Sequence, residues 1–382
     1  MDTLLLLGVS QDDVQSIFEI LAGILHLGQV KFVGKDGDND KSIIDPACVS
    51  SAEIVAGLFN INIDEFGKGT TIRHIEVVGE DMEVPLSVNQ AMDVRDALAK
   101  EIYSRLFLWL VSIINLSTAS YGETTNTIAL LDIFGFESFV VNKFEQLCIN
   151  YANEKIQQKF TLDVFQAVQS EYKDEGLEWD TIAYKDNAHV LQLIEGKAGT
   201  VAGIMAILNE ECLMPRGTDS NLLGKLRKTC VKHEAFSYVH AGAQTKDEFC
   251  IIHYAGKVAY NINGFVERNK DTLANETRMM MSESKNVILS EIFSNVSYAP
   301  GNLDIDDEKT NRNKIQRNSS FLNADTVVTK FKGQLNSLMQ TFTKTDVQYV
   351  RCIKPNAVKL KSLFDRQMVV EQLRCAGICI CI

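Results

Sequence analysis

The chain has 382 residues, enough for one large multi-lobed domain or two ordinary ones, and its 46% hydrophobic and 23% charged residues with only 5 Pro exclude collagen-like, mucin-like and wholly disordered classes. With 38 Lys+Arg against 50 Asp+Glu the net charge is -12, which argues against a nucleic-acid or anionic-membrane binder and leaves room only for a local basic patch. Nine scattered cysteines, an odd number, fit reduced thiols in an intracellular protein better than a disulfide frame.

The start, MDTLLLLGVSQDD, has a short apolar stretch but no basic leader and no small-residue cleavage site, so no secretory signal is expected. Gln11 to Leu27 predicts a core-facing helix behind an acidic first turn, with Val14, Ile17, Phe18, Leu21, Ile24 and Leu25 at helical spacing. Asn39 to Ala47 and Glu76 to Pro85 are polar or turn-forming and bracket a short apolar helix, Ile54 to Phe59. Val88 to Leu116 reads as one long helix with i,i+4 charge pairs. Its most apolar run, Leu106 to Leu116, covers 11 residues against the roughly 18 to 20 needed to cross a bilayer, so no span is expected.

After a loop at 117–125, TIALLDI (Thr127 to Ile133) is almost wholly apolar and predicts a buried central strand with Asp132 near its end. Phe134, Gly135, Phe136 and Glu137 follow, and then a run to Tyr172 without Pro or Gly that predicts a helix of roughly 50 Å. Phe249 to Tyr260 reads as two strands around Ala255 and Gly256, and Asp271 to Phe293 as helical. Residues 299–320 lack apolar periodicity and predict a linker, in which Asp304, Asp306, Asp307 and Glu308 precede Lys309, Arg312, Lys314 and Arg317. No repeat of 20 to 50 residues is present.

An Asp at a strand end, a Gly three residues on and then a helix is an arrangement in which phosphate-binding proteins place a metal-sensing carboxylate and a phosphate-sensing backbone N–H. An ordinary strand-to-helix turn gives the same pattern. The surrounding residues, LDIFGFESFVVNKFEQLCINYANEKIQQKF from Leu131 to Phe160, closely resemble the switch II and relay-helix segment of the myosin motor domain. Further blocks resemble the family in the expected order: ILAGILHL at Ile20, RDALAKEIYSRLFLWL at Arg95, Glu175 to Asn187, Leu208 to Cys212 with Pro215, Ile252 to Tyr260, Gly264 to Asp271, and YVRCIKPN at Tyr349. The resemblance implies an α/β fold, a fragment of a P-loop-type motor head with mainly helical actin-binding lobes around part of a central mixed sheet. It divides the chain into part of the upper actin-binding lobe (1–126); switch II, relay helix, lower lobe and transducer strands (127–298); a variable inter-lobe loop (299–320); and a lower-lobe actin segment with the start of the reactive-thiol region (321–382).

By that resemblance Asp132 sits near the water shell of the nucleotide's Mg²⁺, with Ile133 and Phe134 beside it, Gly135 offers its N–H to the γ-phosphate, and Glu137 pairs with an Arg of switch I. ATP and Mg are the implied cofactors of the intact protein, and actin filaments the implied partner. The implied actin-facing segment begins with Leu335, Asn336, Ser337, Leu338, Met339, Gln340, Thr341, Phe342 and Thr343, continues through Lys344, Thr345, Asp346, Val347 and Gln348, and ends with Tyr349, Val350, Arg351, Cys352, Ile353, Lys354, Pro355 and Asn356. Between Leu322 and Asn356, Lys330, Lys332, Lys344, Arg351 and Lys354 outnumber Asp325 and Asp346, a local +3 that favours an acidic partner. Glu80, 16 residues before Asp96, stands where the family carries an acidic or phosphorylatable residue, implying actin engagement without a phosphorylation switch. The inter-lobe loop has a net charge of zero and promises no strong tether. Cys375 matches the first of the family's reactive thiols. Cys375, Cys379 and Cys381 have no partner His or second CxxC, and His189, His233, His240 and His253 lack ligand spacing, so no metal site is expected.

The sequence also departs from the family. No GxxxxGK[ST] occurs, Gly217 and Gly224-Lys225 being wrongly spaced, and no switch I segment is found; both precede residue 1 in family order. After Gly377 the chain reads ICICI, as a truncated or misread gene would, and Lys159 and Thr161 break the relay-helix pattern. The family is an actin-activated ATPase, but a chain without these parts is expected to be inactive alone, with Thr127 to Ile133 left open at its edges. The expected function is that of a cytoplasmic, cytoskeleton-associated actin-binding motor segment whose light chains and cargo need the neck and tail, with no nucleic-acid or membrane partner. The alternative is a non-hydrolysing actin-binding or interaction protein derived from a motor.

Overall fold

The structure is a computed structural model that describes residues 2–77, 80–119, 126–178, 186–196, 202–214, 217–237, 247–270, 273–294 and 326–377. The expected inter-lobe loop at 299–320 and the ICICI ending lie outside these residues. The chain forms two compact units, Met1–Ile128 with Asp271–Asn318, and Ala129–Lys270 with Ser319–Ile382.

In the first unit the helix Gln11–Leu27 starts at Ser10, whose hydroxyl accepts from the Asp13 N–H at 3.1 Å. Its buried face runs through Val14, Ile17, Ile20, Gly23 and Leu27, whereas Phe18 and Leu25, expected inside, are 51% and 74% exposed. Gly23 is the reason. A Cβ there would stand 2.2 Å from the fully buried Phe59 ring, so the bare glycine admits that ring and turns the helix toward it. The expected helix at Ile54 to Phe59 is Val49–Leu58, buried through Ala52, Val55 and Ala56. Two antiparallel hairpins, Phe32–Lys35 with Asp38–Ile44 and Ile72–Val77 with Glu80–Pro85, overlap the stretches 39–47 and 76–85 that read as polar or turn-forming. Asp38–Ile44 buries only Ser42, so no apolar alternation marks it as a strand.

The long helix Val88–Thr118 opens on a capping box between Ser87 and Gln90. It buries Ala91, Leu98, Ile102, Leu106 and Trp109, and among them the Glu101–Arg105 ion pair at 2.9 Å. Arg105 also donates to the Ile292 carbonyl at 2.7 Å and lies 4.8 Å from the Phe293 ring centre. The helical stretch expected at Asp271 to Phe293 is two helices, Asn275–Ser282 and Val287–Ser294. They break where the Ser284 hydroxyl donates to the Phe59 carbonyl at 2.6 Å and Asn286 accepts from the Leu289 N–H at 3.2 Å.

The second unit is built on the helix Phe144–Thr161, which continues through a π-helical stretch, Leu162–Ala167, into Val168–Asp174, as the Pro- and Gly-free run predicts. Against it lies the expected hairpin, Glu248–His253 and Gly256–Asn261, extended by Phe236–Ser237 into a three-stranded antiparallel sheet. The hairpin turns at Tyr254 and Ala255, and Gly256 takes φ 140°, a conformation that side chains resist. One face of the hairpin, Phe249, Ile251, Val258 and Tyr260, is at most 2% exposed, each such burial being worth about 1.5–3 kcal/mol. The helices Ala188–Glu195, Ile204–Leu213, Asp219–Cys230 and Phe265–Asn269 complete the core. The helix Val327–Thr343 is pinned at its start, Thr326 donating to Asn209 Oδ1 at 2.7 Å and the Val328 N–H to Asn269 Oδ1 at 2.9 Å.

The central strand expected at Thr127 to Ile133 is not formed. Residues 126–139 pair with no strand among the described residues, and Ile128, Leu130, Leu131 and Ile133 are 95%, 98%, 51% and 39% exposed. An apolar run becomes a buried strand only between neighbours, and no described segment flanks this one. A central mixed sheet is therefore absent among the described residues, where every sheet is antiparallel and a parallel contact occurs at the isolated bridge Asn142–Tyr260. The result is a mainly helical fold with small sheets.

Candidate functional site

The residues singled out at 132–137 lie on the extended stretch that leads into Phe144–Thr161. Asp132, Ile133, Phe134 and Gly135 are exposed, and Phe136 and Glu137 half-buried. Among the described residues neither Asp132 nor Gly135 has a hydrogen-bond partner, and a Cβ added at Gly135 would meet nothing within 4 Å. Two asparagines of the helix hold the rest. Asn153 Nδ2 donates to the Phe134 carbonyl at 3.0 Å, and Asn150 takes both backbone groups of Glu137, accepting its N–H at 2.8 Å and donating to its carbonyl at 2.7 Å. The Glu137 carboxylate has Gln146 Nε2 at 3.4 Å and no basic partner among the described residues. Phe136 packs edge-on against His253 and Tyr254, with ring centres 5.2 and 5.4 Å away.

Behind Glu137 runs a buried polar chain. Asn150 Nδ2 also donates to the Tyr260 hydroxyl at 2.8 Å; that hydroxyl lies 2.8 Å from His253 Nε2, and His253 Nδ1 lies 2.8 Å from Glu154 Oε1. Asn150, Tyr260 and Glu154 are 0% exposed and His253 is 3% exposed. Glu154 further accepts from the Tyr254 N–H at 3.0 Å and from Asn187. Burial pushes the Tyr260 phenol well above its ordinary value, so it keeps its proton and remains a donor.

The segment 335–356 is the second place singled out. Its helical part belongs to Val327–Thr343, where only Val328 and Leu335 are buried, and Asn336, Ser337, Gln340, Thr341 and Thr343 face solvent. Lys344, Arg351 and Lys354 are exposed, while Lys332 lies 3.9 Å from Glu195. The remainder is fastened to the end of Phe144–Thr161 and the π-helical stretch after it: the Tyr349 hydroxyl donates to Asp163 Oδ2 at 2.7 Å, its ring lies 5.0 Å from that of Phe160, and Arg351 stands over Phe160 at 5.2 Å. Lys159 and Thr161 are the two residues that broke the helix pattern. They stand at the entry to this stretch, Lys159 paired with Asp163 at 2.5 Å and Thr161 donating back to the Gln157 carbonyl at 2.9 Å. Glu80 begins the second strand of its hairpin, and its side chain lies outside the described residues.

The whole chain, residues 1–382, matches the family described as myosin head (motor domain). The chain belongs to the myosin head family. It is 36% identical to the myosin-I heavy chain of Dictyostelium discoideum over 97% of its length, 38% identical to myosin-1 of Arabidopsis thaliana over 97%, and 37% identical to unconventional myosin-Va of Homo sapiens over 98%. It spans 15%, 30% and 20% of those relatives' own lengths.

The structure brings Phe134, Phe136 and Glu137 together with the helix Phe144–Thr161 and its neighbouring hairpin, and leaves Asp132, Ile133 and Gly135 open beside them. The sequence reading missed Asn150, Asn153, Glu154 and Tyr260 and took His253 for an ordinary histidine. The available signal was polar residues at i and i+4, Asn150 and Glu154, on the helix face that also carries Leu147 and Tyr151. Among the described residues no group of three His, Cys, Asp or Glu side chains is placed to hold a metal ion, and no single helix is long and apolar enough to cross a membrane.

The thiols separate by environment. Cys352 is exposed, whereas burial, with Glu145 nearby, pushes Cys148 up to about 12, burial pushes Cys230 up to about 11, and burial with Glu371 raises Cys375. Because the thiolate is the nucleophile, iodoacetamide at pH 8 is expected to label Cys352 about tenfold faster than Cys148 or Cys230 and ahead of Cys375. Peptide mass spectrometry reads the order, and Cys375 reacting first would contradict the burial that raises it.

Proposed function

We propose that this chain is the part of a myosin motor that binds actin filaments and senses nucleotide in the intact, ATP-driven protein. The single observation that carries the reading is the family match over residues 1–382. Asp132, Ile133, Phe134, Gly135 and Glu137 form the nucleotide-facing edge in this reading, residues 335–356 face actin, Glu80 is an acidic contact that needs no phosphorylation, residues 1–126 carry part of the upper actin-binding lobe, and 127–298 with 321–382 carry the lower one. A cytoskeletal location follows from such a partner.

ATP with Mg belongs to this reading, and the residues present fit one edge of its site. Gly135 leaves its backbone N–H open, Asp132 is an exposed carboxylate, and Glu137 has no cationic partner among the described residues. Bound nucleotide would supply the phosphate charge that such donors read. The chain's own residues then hold the loop: Asn150 and Asn153 fix the carbonyls of Glu137 and Phe134, so that the Gly135 N–H is presented from a supported backbone. A phosphate-cradling GxxxxGK[ST] run is not among these 382 residues, and no hydrolytic step is assigned to them.

Co-sedimentation of the purified chain with actin filaments, with and without MgATP and after a check of monodispersity, tests the reading. The chain is expected to pellet with filaments and to be released by added salt, because exposed Lys344, Arg351 and Lys354 meet an acidic surface. Lys344→Glu with Lys354→Glu is expected to weaken binding about tenfold, the scale of two exposed ion pairs lost. No binding by a folded, monodisperse chain would sink the actin assignment, and release by MgATP would place the entire nucleotide response in this chain, against the partial site described above.

A further inference from the structure

The buried polar chain behind Glu137 closes into a ring. Asn150 and Glu154 stand four residues apart on one face of Phe144–Thr161, and the hairpin supplies Tyr260 and His253 between them. Counting donors and acceptors leaves one consistent assignment. Asn150 Nδ2 has two hydrogens, spent on the Glu137 carbonyl at 2.7 Å and on the Tyr260 oxygen at 2.8 Å, while its Oδ1 accepts the Glu137 N–H. Tyr260 therefore accepts from Asn150 and turns its own proton to His253 Nε2. The imidazole must then accept at Nε2 and donate from Nδ1 to Glu154 Oε1. Reversing the carboxamide of Asn150 would mismatch both of its bonds to Glu137 and turn its oxygen toward a Tyr260 hydroxyl whose proton His253 already takes, at a site with no exposure to water.

We propose that Tyr260 is a positioning residue for the 134–137 loop, acting through Asn150. The hairpin hydroxyl, oriented by His253 and Glu154, fixes the one carboxamide orientation that grips both backbone groups of Glu137. The two ends of the ring differ in kind: Glu154 is bound by several donors and anchors the ring, while Asn150 is the member that reaches the loop. The hairpin thus does more than fill the core beside the helix. Its hydroxyl sets where the peptide following Gly135 and Phe136 lies, and a shift of the hairpin is passed to that peptide through two hydrogen bonds. In its link to nucleotide sensing this inference rests on the function proposed above; the structural claim does not need it.

Tyr260→Phe keeps the ring in the core and removes only the hydroxyl, leaving one Asn150 N–H and His253 Nε2 unsatisfied. The full chain is compared with this variant by amide hydrogen exchange and by ¹⁵N NMR of the imidazole, in the absence of nucleotide and actin. Exchange at the Glu137 amide is expected to rise about tenfold or more, while amides of Glu248–His253 keep their wild-type rates. The Nε2 resonance of His253, that of a hydrogen-bonded acceptor in the wild type, is expected to shift. Asn150→Ser is expected to free the Glu137 amide by itself, and adding Tyr260→Phe to it should change that amide no further. An unchanged Glu137 amide in Tyr260→Phe, additive effects in the double variant, or a uniform rise across hairpin and helix would each overturn the proposal, the last by reducing Tyr260 to core packing. Failed actin binding leaves these readouts untouched, so the two readings fall separately.

Discussion

Glu154→Leu is expected to destabilise the second unit by about 3–5 kcal/mol, the range for removing one member of a buried charged or hydrogen-bonded pair. The carboxylate is 0% exposed and receives His253 Nδ1 at 2.8 Å, the Tyr254 N–H at 3.0 Å and Asn187 Nδ2. Leucine fills the volume but strips the acceptor from buried His253 Nδ1 and from the half-buried Tyr254 N–H, and leaves Asn187 Nδ2 with only the Glu154 carbonyl, 2.8 Å away. Since a domain retains only about 5–15 kcal/mol in all, a large share of the margin is lost. Glu154→Gln separates shape from chemistry: its amide oxygen can still accept from His253 and Tyr254, but its Nε2 meets the donating amide of Asn187, so a loss of about 1–3 kcal/mol is expected. Denaturant unfolding followed by a probe in the second unit checks both. A Glu154→Leu midpoint equal to that of the wild type would show that the ring contributes nothing to stability.

The same residue shows how far the sequence was legible. The Pro- and Gly-free run around Glu154 predicts its helix, and the apolar spacing of Leu147 and Tyr151 marks the face that packs. Which polar residues share that face and find partners depends on a hairpin about 100 residues later, and no local pattern carries that information. Local rules also mislead where tertiary neighbours decide. TIALLDI has the composition of a buried strand, yet Leu130 is 98% exposed because no described segment pairs with it. Phe18 is apolar and correctly spaced, but the vacancy left by Gly23 draws the helix toward Phe59 and leaves Phe18 51% exposed. The loop 132–137 was found through the resemblance of LDIFGFE and the residues after it to a known family, since the Asp and Gly spacing alone fits any strand-to-helix turn. The asparagines that hold it were not found, because a side chain that grips a backbone from another element has no signature in its own neighbourhood.

The first unit contains a second buried charge, Glu101, with two arginines within 4 Å of its carboxylate. Arg105→Met leaves the Glu101 carboxylate, 2% exposed, without its 2.9 Å partner, and it removes the donor to the Ile292 carbonyl and the cation above Phe293. Taken alone, that loss places the cost at about 3–5 kcal/mol. Arg278 lowers it. Its Nε is buried with no hydrogen-bond partner and stands 3.8 Å from Glu101 Oε1, close enough for a small rotation to make a direct pair once Arg105 is gone. Arg105→Met is therefore expected to cost about 2–3 kcal/mol, and Arg278→Met added to it to restore the full penalty by leaving the carboxylate buried alone. Replacing charge at both ends, Glu101→Leu with Arg105→Met, removes the stranded carboxylate and is expected to recover part of the loss. Measured by denaturant unfolding together with Arg278→Met alone, Arg105→Met and the Arg105→Met/Arg278→Met double form a cycle whose sign is informative. If Arg105→Met and Arg278→Met prove additive, Arg278 does not substitute for Arg105, and the single change should then show the larger loss. If the double change with Glu101→Leu is worse than Arg105→Met alone, the cost lies in the lost packing on Phe293 and the lost bond to Ile292 and not in the stranded charge.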